Sequence, residues 1–462
     1  MWFAENISWR QFRRSLGSFS AIVCKDASTV WAEDSEGKTI ASGEAGVDDA
    51  SVIQDAISEI ESGVIFIMPA TYLIDSEIAL PESIDDSNIV VRGGGTTTIL
   101  KATTSVNSII NMGLQRFAVV EDLRILCDNK AAYGIYFPDT RTLPNYSIIR
   151  SILIYGATKA AIRVFHDEVY LRDLYINTNN KGVILETPPE SLTDIRMENC
   201  KIYSTTSNPI EIQQGVGKVT IRDCVFAGNS DSILVDNDDT CFEHCWFENQ
   251  QEDKAYIKLG SAFSASKTRI IDCHFNANNK VTYPIHLVDV RRCIISQCSF
   301  THLIQYAIRF EANCNYNIVE NCATPDGYLG EEHISDDGGF NILISEGKIY
   351  CKDFRNKEKI EFYVPDSSGN YYRRLVILAG DPDTAVMYVD NAHFLPHDDN
   401  QYNLGDDTHR WRYARFQKTK SDHIVIPTSA PGSPESGSMY FDPSTGTLYI
   451  YDGSTWKSVS LT

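Results

Sequence analysis

The sequence predicts an all-β fold, a right-handed parallel β-helix with about 25 residues in each coil. Three observations support it: a six-residue pattern occurs nine times, a series of short apolar segments follows in the same rhythm, and no helical periodicity lies between them. The pattern is an apolar residue, two polar residues, cysteine or an aliphatic residue, any residue, and a large apolar residue. Its copies begin at Val120, Ile149, Leu171, Met197, Ile221, Phe242, Ile270, Ile295 and Val319.

The fourth position of the pattern predicts a column of inward side chains. The column contains Leu123, Ile152, Leu174, Cys200, Cys224, Cys245, Cys273, Cys298 and Cys322. Equivalent positions in successive coils stack about 4.8 Å apart, and an inward cysteine packs as a small hydrophobic residue. A zinc site needs four ligands around one point, whereas a column spreads its thiols along an axis. We therefore predict core packing, with no metal and no cofactor.

Two further columns complete the predicted coil. Phe226, Phe247, Phe275 and Phe300 follow the cysteines at the sixth position of the pattern. The second series of short strands, each introduced by a turn residue, contains Ile135, Ile162, Val183, Ile210, Ile233, Ile257, Ile285 and Ile308. With no helical pattern between these strands, a parallel β-helix is the simplest fold.

A short helix is predicted before the first coil. Asp48 or Asp49 can cap it, and one face would carry the apolar residues Val52, Ile53, Ala56, Ile57 and Ile60. Such a helix would cover the open first coil, whose strand edges are otherwise unpaired. No helix-forming stretch follows the glycines at 93–95, which argues against a phosphate-binding loop.

The beginning of the repeat region resembles a known superfamily. The resemblance is carried by Asp48-Asp49, Val52-Ile53, Ala56-Ile57, Gly63, Val64, Pro69, Tyr72 and the run from Val91 to Gly95. These residues resemble the first coil of the pectate-lyase-like superfamily, which includes many tailspikes of phages and archaeal viruses. The resemblance extends over residues 46–324, and it is more specific for fold than for activity.

The two ends of the chain differ from the repeats. Trp2, Phe3, Ile7, Trp9, Phe12, Leu16 and Phe19 make the first residues too apolar for a free tail, so they either bind a partner or pack on the cap of their own chain. Near the other end, Asn403-Leu404-Gly405, Arg410-Trp411 and the segment from Tyr440 to Trp456 resemble phage tail-fibre ends. That resemblance implies a trimeric tip, since small β-meanders gain stability from neighbouring chains.

Four segments follow from these patterns. We predict a virion-anchoring or adaptor segment at 1–45, the β-helix at 46–330, a β-rich module at 331–395 and a fibre-tip or trimerisation region at 396–462. The last region includes a Pro/Ser/Gly linker at 427–437.

The charge balance limits the predicted partners and location. A net charge of −21 opposes binding to nucleic acid or to anionic membranes. The sequence has no signal-peptide pattern and no apolar run of the roughly 18 residues that a membrane span needs. We therefore expect synthesis in the host cytoplasm, reduced thiols, location in the virion and no membrane insertion.

The residue before the inward column is the first candidate for chemistry. This outward column contains Asp122, Ser151, Asp173, Asn199, Asp223, His244, Asp272, Gln297 and Asn321. Asp and Asn are typical of tight corners, so a structural role is one interpretation. The other is general acid and base catalysis of glycoside hydrolysis by Asp223, Glu243, His244 and Asp272. Glu243 also belongs to a row of alternating Glu and Arg residues typical of a solvated charge ladder.

Aromatic residues near this column are candidates for glycan binding. Tyr175, Trp246 and His274 are predicted to point outward, where Trp246 could stack on a sugar ring. The alternative is an aromatic residue buried under a lateral loop or in a trimer interface. We find no set of basic residues and calcium-binding carboxylates typical of a lyase.

These observations lead to one functional hypothesis and two alternatives. The first is a homotrimeric virion tailspike or tail fibre that recognises a host-surface polysaccharide or glycoprotein during adsorption, joined to tail or baseplate proteins through residues 1–45. The second is a polysaccharide depolymerase, a glycoside hydrolase or lyase, an activity that the same tailspike could combine with receptor binding. The third, a cellular adhesin or surface-layer protein, predicts a secretion signal, and none is found in this sequence.

Overall fold

The structure is a computed structural model of the 462-residue chain. It describes residues 19–60, 62–81, 88–113, 117–138, 146–165, 168–186, 194–251, 253–262, 265–339, 341–345, 348–351, 359–365, 371–378, 386–388, 426, 428–430, 432–434 and 436–460. The chain divides into two compact units between Tyr388 and Val389, and each is described by itself.

An antiparallel meander and a helix precede the first coil. They are β1 (Ala21–Lys25), β2 (Thr29–Asp34), β3 (Thr39–Glu44) and α1 (Asp49–Glu59). Strand β1 also pairs in parallel with β4 (Gly63–Ile67), the first strand of the first coil. This pairing joins residues 21–44 to the solenoid, whereas the sequence prediction assigned residues 1–45 to a separate segment. The predicted anchor residues from Trp2 to Leu16 lie outside the described residues.

Helix α1 packs on the first strands as predicted, but its N-terminus is held differently. Its buried face carries four of the five predicted residues, and Ile60 lies half-buried at the C-terminus. Asp48 makes no side-chain cap and instead accepts a hydrogen bond from the Glu44 N–H at 2.8 Å. The buried Asp49 carboxylate accepts from Leu73 N–H at 2.6 Å and pairs with Lys25 Nζ at 2.5 Å. Asp49 therefore ties the helix to the first coil.

The coils contain short strands in a regular order. The first coils contain β4, β5 (Thr71–Ile74), β6 (Ile78–Ala79), β7 (Ile89–Gly93), β8 (Ile99–Ala102), β9 (Val106–Asn111), β10 (Val119–Leu126), β11 (Ala131–Tyr136), β12 (Ile148–Tyr155), β13 (Ala160–Val164), β14 (Tyr170–Arg172), β15 (Tyr175–Asn177), β16 (Lys181–Leu185), β17 (Asp194–Glu198), β18 (Lys201–Tyr203), β19 (Ile210–Ile212), β20 (Lys218–Arg222), β21 (Val225–Ala227) and β22 (Ile233–Val235).

The later coils continue the same order. They contain β23 (Thr240–Glu243), β24 (Trp246–Glu248), β25 (Ile257–Leu259), β26 (Ala265–Ser266), β27 (Arg269–Ile271), β28 (His274–Asn276), β29 (Ile285–Leu287), β30 (Val290–Arg291), β31 (Ile294–Ser296), β32 (Ser299–Thr301), β33 (Ile308–Phe310), β34 (Ile318–Glu320), β35 (Ala323–Thr324), β36 (Gly327–Tyr328), the 3-10 turn Glu331–His333, β37 (Ile334–Asp336), β38 (Ile342–Ser345) and β39 (Lys348–Cys351).

Parallel pairing between successive coils builds two long sheets, and the predicted right-handed β-helix is confirmed. In most coils of sheet A, two strands flank a corner; β20 and β21, for example, pair with β23 and β24 of the next coil. In β10 and β12, a single strand runs through the corner. Sheet B takes one strand from each coil, eleven in all, from β6 to β37. Because β37 and β38 still pair in parallel with the preceding coil, the solenoid continues beyond the predicted boundary at residue 330.

The corner in sheet A is a left-handed backbone turn. All nine residues of the predicted outward column have φ between 50° and 57°. Asp and Asn adopt this conformation more readily than most residues, which explains why they dominate the column. The turn also reverses the inside–outside alternation of the strand, so the residue after each corner points into the core.

The predicted inward columns form the interior. All nine side chains of the cysteine and aliphatic column are at most 2% exposed. The four phenylalanines stack in a row, with ring centroids 4.6 to 5.1 Å apart. All eleven cysteines with described side chains are buried free thiols. Burial raises the pKa of Cys245 well above the usual value for a thiol.

Two small antiparallel sheets follow the solenoid. The first contains β40 (Lys359–Pro365), β41 (Tyr371–Leu378) and β42 (Val386–Tyr388), and the second, in the other compact unit, contains β43 (Met439–Asp442), β44 (Thr447–Tyr451) and β45 (Trp456–Ser460). The predicted tip motifs at 403–405 and 410–411 lie outside the described residues. In the part of the chain that the structure describes, no helix is long and apolar enough to cross a membrane.

Candidate functional site

Asp223, His244 and Asp272 lie at consecutive corners of sheet A, and the structure brings them together. His244 Nδ1 is 3.6 Å from Asp223 Oδ1, and Nε2 is 3.3 Å from Asp272 Oδ2. The three side chains are 56% to 60% exposed. These distances are longer than good hydrogen bonds. The imidazole thus lies between two solvated carboxylates, whose attraction for it increases when the ring is protonated.

An upstream corner shows that side-chain contact along this column also occurs without a titratable ring. There, Asn199 Nδ2 donates to Asp173 Oδ1 at 2.6 Å. Contact between neighbouring corners is therefore partly a structural feature of the turn, as the first interpretation of the sequence holds. His244 differs from the other corner residues because it is an imidazole with a carboxylate on each side.

Glu243 is adjacent to His244 in sequence but its carboxylate binds other groups. It accepts hydrogen bonds from Arg222 Nε at 2.8 Å and Nη2 at 2.5 Å, and Cys241 Sγ lies 3.4 Å from its second oxygen. The hydrogen bond from Arg222 is the main reason that the pKa of Glu243 is lowered. An ionised, paired carboxylate suits the predicted charge ladder, and the catalytic role of Glu243 stays a prediction.

The same ladder continues upstream of Glu243. Glu121 is 1% exposed and pairs with both Arg92 and Arg150, one from each neighbouring coil. In strand register, Glu121 lies beside Arg150, as Arg222 lies beside Glu243. These ion pairs link coil to coil along the first strand series of sheet A.

Trp246 and His274 form a partly exposed aromatic contact on sheet A. They are neighbours in the register of β24 and β28, and their rings stack with centroids 3.9 Å apart and planes 29° apart. Trp246 Nε1 donates to Glu248 Oε2 at 3.0 Å, while His274 Nδ1 is 2.7 Å from Ser299 Oγ. Trp246 is still 43% exposed. The described chain therefore leaves one part of this aromatic surface open to solvent.

The environment of His274 lowers the affinity of its ring for a proton. Burial is the main cause of its lowered pKa, and the nearby Glu248 carboxylate opposes that effect. The ring is therefore mostly neutral at pH 7. A neutral imidazole stacks on Trp246 as a flat polar aromatic, without bringing a full charge to the surface.

Tyr175 lies on the same face but apart from Trp246. Its ring is between those of Tyr155 and Tyr203, at centroid distances of 5.8 and 5.4 Å. In register, Lys201 and Val225 separate Tyr175 from Trp246. That separation corresponds to about 14 Å along the solenoid axis. One small ring cannot contact both aromatic groups, whereas an extended chain can.

A cleft on sheet B was not among the sites predicted from the sequence. The cleft has a volume of about 470 Å³, and its lining includes Lys258, Tyr283 and His286. His286 Nε2 is 2.9 Å from Glu311 Oε1, and Arg309 donates both to Glu311 at 2.9 Å and to the Tyr283 hydroxyl at 3.0 Å. The signal that could have located it is the residue after each isoleucine of the second series, since this residue must point out of sheet B.

Metal binding is the remaining question for these clusters. Among the residues that the structure describes, no group of three or more His, Cys, Asp or Glu side chains is arranged to hold a metal ion.

Comparison with solved structures finds similarity to carbohydrate-active enzymes and to a viral protein. The mannuronan C-5 epimerase AlgE4 A-module of Azotobacter vinelandii is 13% identical, with a TM-score of 0.49 over 65% of this chain and 96% of that one. ORF18 of Geobacillus virus E2 is 15% identical, with a TM-score of 0.39 over 90% of this chain and 84% of that one.

A third similar structure is also an enzyme. The catalytic unit of the GH87 α-1,3-glucanase of Streptomyces thermodiastaticus is 12% identical, with a TM-score of 0.39 over 67% of this chain and 69% of that one. A search of curated proteins finds no match.

The comparison with protein-family models is more informative. The model described as "Right handed beta helix region" matches residues 87–261 and 213–352. Together the two matches cover more than half of the 462 residues. Both lie within the coils of sheets A and B, where the inward columns repeat. The chain therefore belongs to the right-handed β-helix family.

Proposed function

We propose that this protein binds carbohydrate along sheet A, and that it does so as a homotrimeric virion tailspike or tail fibre that recognises a host-surface glycan during adsorption. The observation that carries the glycan part is the exposed Trp246 ring, which stacks on His274. Trp246 follows two residues after His244, whose imidazole lies between the corner carboxylates. A flat aromatic ring packs on the apolar face of a sugar. Solvated carboxylates accept hydrogen bonds from its hydroxyl groups.

The arrangement along the axis supports an extended ligand. Tyr175 and Trp246 lie in one register column with about 14 Å between them. A solenoid presents equivalent positions as a straight row, so a polysaccharide can contact successive coils. Such a site would be an extended surface that binds several sugar residues of a chain, and not a pocket for a single sugar.

The trimeric part of the proposal is supported by the small sheet of β43–β45. Met439 lies opposite Ile450 in register, and Val459 lies opposite Leu448. Met439, Ile450 and Val459 are 43%, 37% and 51% exposed on this one face. An apolar sheet face of this kind gains stability when a neighbouring chain covers it. Sedimentation of the purified full chain as a stable monomer would contradict the trimer.

A polysaccharide depolymerase is the second candidate function. The observation in its favour is the imidazole of His244 between the carboxylates of Asp223 and Asp272. An imidazole in this position is of the side-chain type that most often serves as a general acid or base. This activity is compatible with a tailspike, because the same surface would first bind the glycan and then cleave it.

The binding test uses the purified full chain and a panel of bacterial capsule and envelope polysaccharides. We expect Trp246→Ala to weaken binding about tenfold, since losing an aromatic contact costs about 1.4 kcal/mol. Tyr328→Ala is the matched control, because Tyr328 is 55% exposed but lies on β36 at the end of the solenoid. Binding that survives Trp246→Ala unchanged, or no binding across the panel, would contradict the proposal.

The cleavage test uses His244→Asn on the same polysaccharides. Asn occupies the equivalent corner at position 199 with φ near 50°, so this variant is expected to keep the turn while removing the titratable ring. New reducing ends or unsaturated products from the parent chain, lost in His244→Asn with binding retained, would establish cleavage at the corner. Binding without products would leave the protein as a binding module only.

A further inference from the structure

We propose that the cleft on sheet B is a second carbohydrate site, which binds an anionic sugar residue through Lys258 and His286. The site would recognise a carboxylate or sulfate substituent together with a neighbouring hydroxyl group. It does not depend on the proposed function of Trp246, because its residues belong to the other sheet.

The fold places both side chains side by side at the cleft. Lys258 of β25 pairs in register with His286 of β29, and the flanking residues Ile257 and Ile285 are fully buried. Strand alternation therefore directs Lys258 and His286 out of sheet B. Small-molecule sites usually have volumes of about 300 to 1,000 Å³. The cleft, at about 470 Å³, is large enough for a sugar residue.

A polar network beneath the cleft fixes the orientation of His286. Glu311 accepts from Arg309 Nε at 2.9 Å, and its oxygen lies 2.9 Å from His286 Nε2. The hydrogen bond from His286 is the main cause of the lowered pKa of Glu311, so this carboxylate is ionised and can only accept. His286 Nε2 must then carry the hydrogen. In the neutral ring, Nδ1 is left as a hydrogen-bond acceptor.

His286 is mostly neutral near pH 7. Burial is the main cause of its lowered pKa; the Lys258 and Arg309 charges act in the same direction, and Glu311 opposes them. The Tyr283 ring lies on the remaining side, with its centroid 6.2 Å from that of His286. A neutral, oriented imidazole can accept a hydrogen bond from a sugar hydroxyl without repelling or attracting the ligand as a charge.

Lys258 supplies the charge. It is half-buried, and none of the carboxylates among the described residues forms an ion pair with it. The two acidic residues of the cleft accept hydrogen bonds from other residues of its lining: Asp253 accepts from Thr282 N–H and Oγ–H at 2.8 Å each, and Asp231 accepts from Ser232 N–H at 2.7 Å. A partly desolvated ammonium group is stabilised by a counter-ion.

Together these groups define the ligand. Lys258 requires an anionic substituent, and His286 Nδ1 requires a hydroxyl donor beside it. Tyr283 adds an aromatic surface that is held in place by the Arg309 guanidinium, 5.1 Å from the ring centroid. An acidic monosaccharide within a polysaccharide carries all three complementary features: charge, hydroxyl groups and an apolar ring face.

The test measures binding of short oligosaccharides to the purified full chain by calorimetry. The probes are oligomers of galacturonate, mannuronate and glucuronate, a sulfated galactan oligomer, and the same three uronate oligomers after reduction of their carboxyl groups. We expect at least one acidic probe to bind and its uncharged counterpart to bind at least about tenfold more weakly, because one charge-assisted contact is lost. The sulfated probe distinguishes the two kinds of anionic substituent.

Variants locate the contact. Lys258→Gln is expected to weaken binding of the acidic probe about tenfold, with partial recovery in Lys258→Arg. The matched control Lys280→Gln changes an exposed lysine in a turn and should leave binding unchanged. Equal binding of a uronate and its reduced counterpart, no effect of Lys258→Gln, or no binding of any acidic probe would each overturn the proposal.

A third variant separates this site from the one on sheet A. If acidic oligosaccharides bind the cleft, Trp246→Ala should leave their affinity unchanged. The same substitution should weaken the binding of polysaccharide on sheet A. Loss of acidic-probe binding in Trp246→Ala, with Lys258→Gln silent, would place the ligand on sheet A and overturn the second site.

Discussion

The first three coils that carry the pattern, called upstream here, place two aliphatic side chains after the corner, whereas the four coils from Cys224 to Phe300, called downstream, place a cysteine and a phenylalanine there. Upstream, Leu123 is followed by Ile125 two residues later, and both are fully buried. Downstream, Cys245 is followed by Phe247, also buried. The downstream pair thus combines a large side chain, phenylalanine, with a small one, cysteine. Protein interiors are close-packed, so a fixed coil limits the summed volume of the two positions more than the type of residue.

The two halves also differ in the contacts that their columns make. The phenylalanine rings stack nearly parallel, with Phe247 and Phe275 planes only 4° apart. The thiols are directed toward backbone carbonyls, since Cys245 Sγ lies 3.4 Å from Glu243 O of its own coil and 3.5 Å from Ile221 O of the preceding coil. Aliphatic side chains cannot make such directional contacts. The downstream half therefore has an interior in which each ring and each thiol depends on the coil above and below.

The largest expected effect comes from breaking the phenylalanine column. Phe247→Ala removes a ring that stacks on Phe226 and Phe275, and truncation of a buried phenylalanine costs about 3 to 5 kcal/mol of unfolding free energy. Urea unfolding, with hydrogen exchange to follow individual coils, measures the loss. We expect it to exceed that of Ile154→Ala, the matched change in an upstream coil, and an equal or smaller loss would contradict the difference between the halves.

A smaller and sharper effect is expected from converting a downstream coil to the upstream composition. Cys245→Leu alone should cost about 1 to 3 kcal/mol by overpacking against Phe247. Combined with Phe247→Ile, it restores a Leu–Ile pair like that of Leu123 and Ile125. The double variant should then be less destabilised than the sum of the single variants, with a coupling of about 0.5 to 3 kcal/mol in urea unfolding.

The control for this cycle pairs Cys245→Leu with Phe300→Ile. Phe300 lies two coils away from Cys245, so these two substitutions should add to within about 0.5 kcal/mol. Additivity in both cycles would mean that the volume at the cysteine position does not limit the volume at the phenylalanine position. It would then contradict the explanation given above for the difference between upstream and downstream coils.

The features that the sequence predicted are those that repeat in every coil. The inward column, the phenylalanine row and the positions of the corners all follow from one six-residue pattern, because strand alternation fixes which residue faces the core. The same register predicted that Asp223, His244 and Asp272 are neighbours. Their contact needs no more than the stacking of equivalent positions.

The features that the sequence did not predict lie outside that repeat. Strands β1–β3 pair antiparallel, so they carry none of the pattern and were assigned to a separate segment. The cleft depends on His286 and Glu311, which are 25 residues apart and lie at different positions of their coils. The periodicity of the second series indicates which residues point out of sheet B, but the contact between these two side chains depends on their particular types.

The smallest of the expected effects concerns a single thiol of the downstream column. The sequence alone predicts that Cys224→Ser costs roughly 1 to 3 kcal/mol by leaving a poorly satisfied hydroxyl inside the core. The structure provides an acceptor, since Cys224 Sγ lies 3.2 Å from Arg222 O, and a donor, since the Cys200 N–H points at the same sulfur from 3.4 Å. A serine hydroxyl can use both groups, so we expect about 1 kcal/mol, at the low end of the range.

Comparison with Cys224→Ala isolates the polar contribution. Alanine leaves the Cys200 N–H without its sulfur acceptor and opens a small cavity, so it should be at least as destabilising as serine in urea unfolding. Binding on sheet A should be the same in both variants, because the corner side chains lie outside the core. The contrary result would be a serine variant that unfolds far more easily than the alanine variant. It would mean that the coil cannot shorten its contacts by the few tenths of an ångström that an oxygen requires. Cysteine would then suit the column because of its size and not because of its hydrogen bonds.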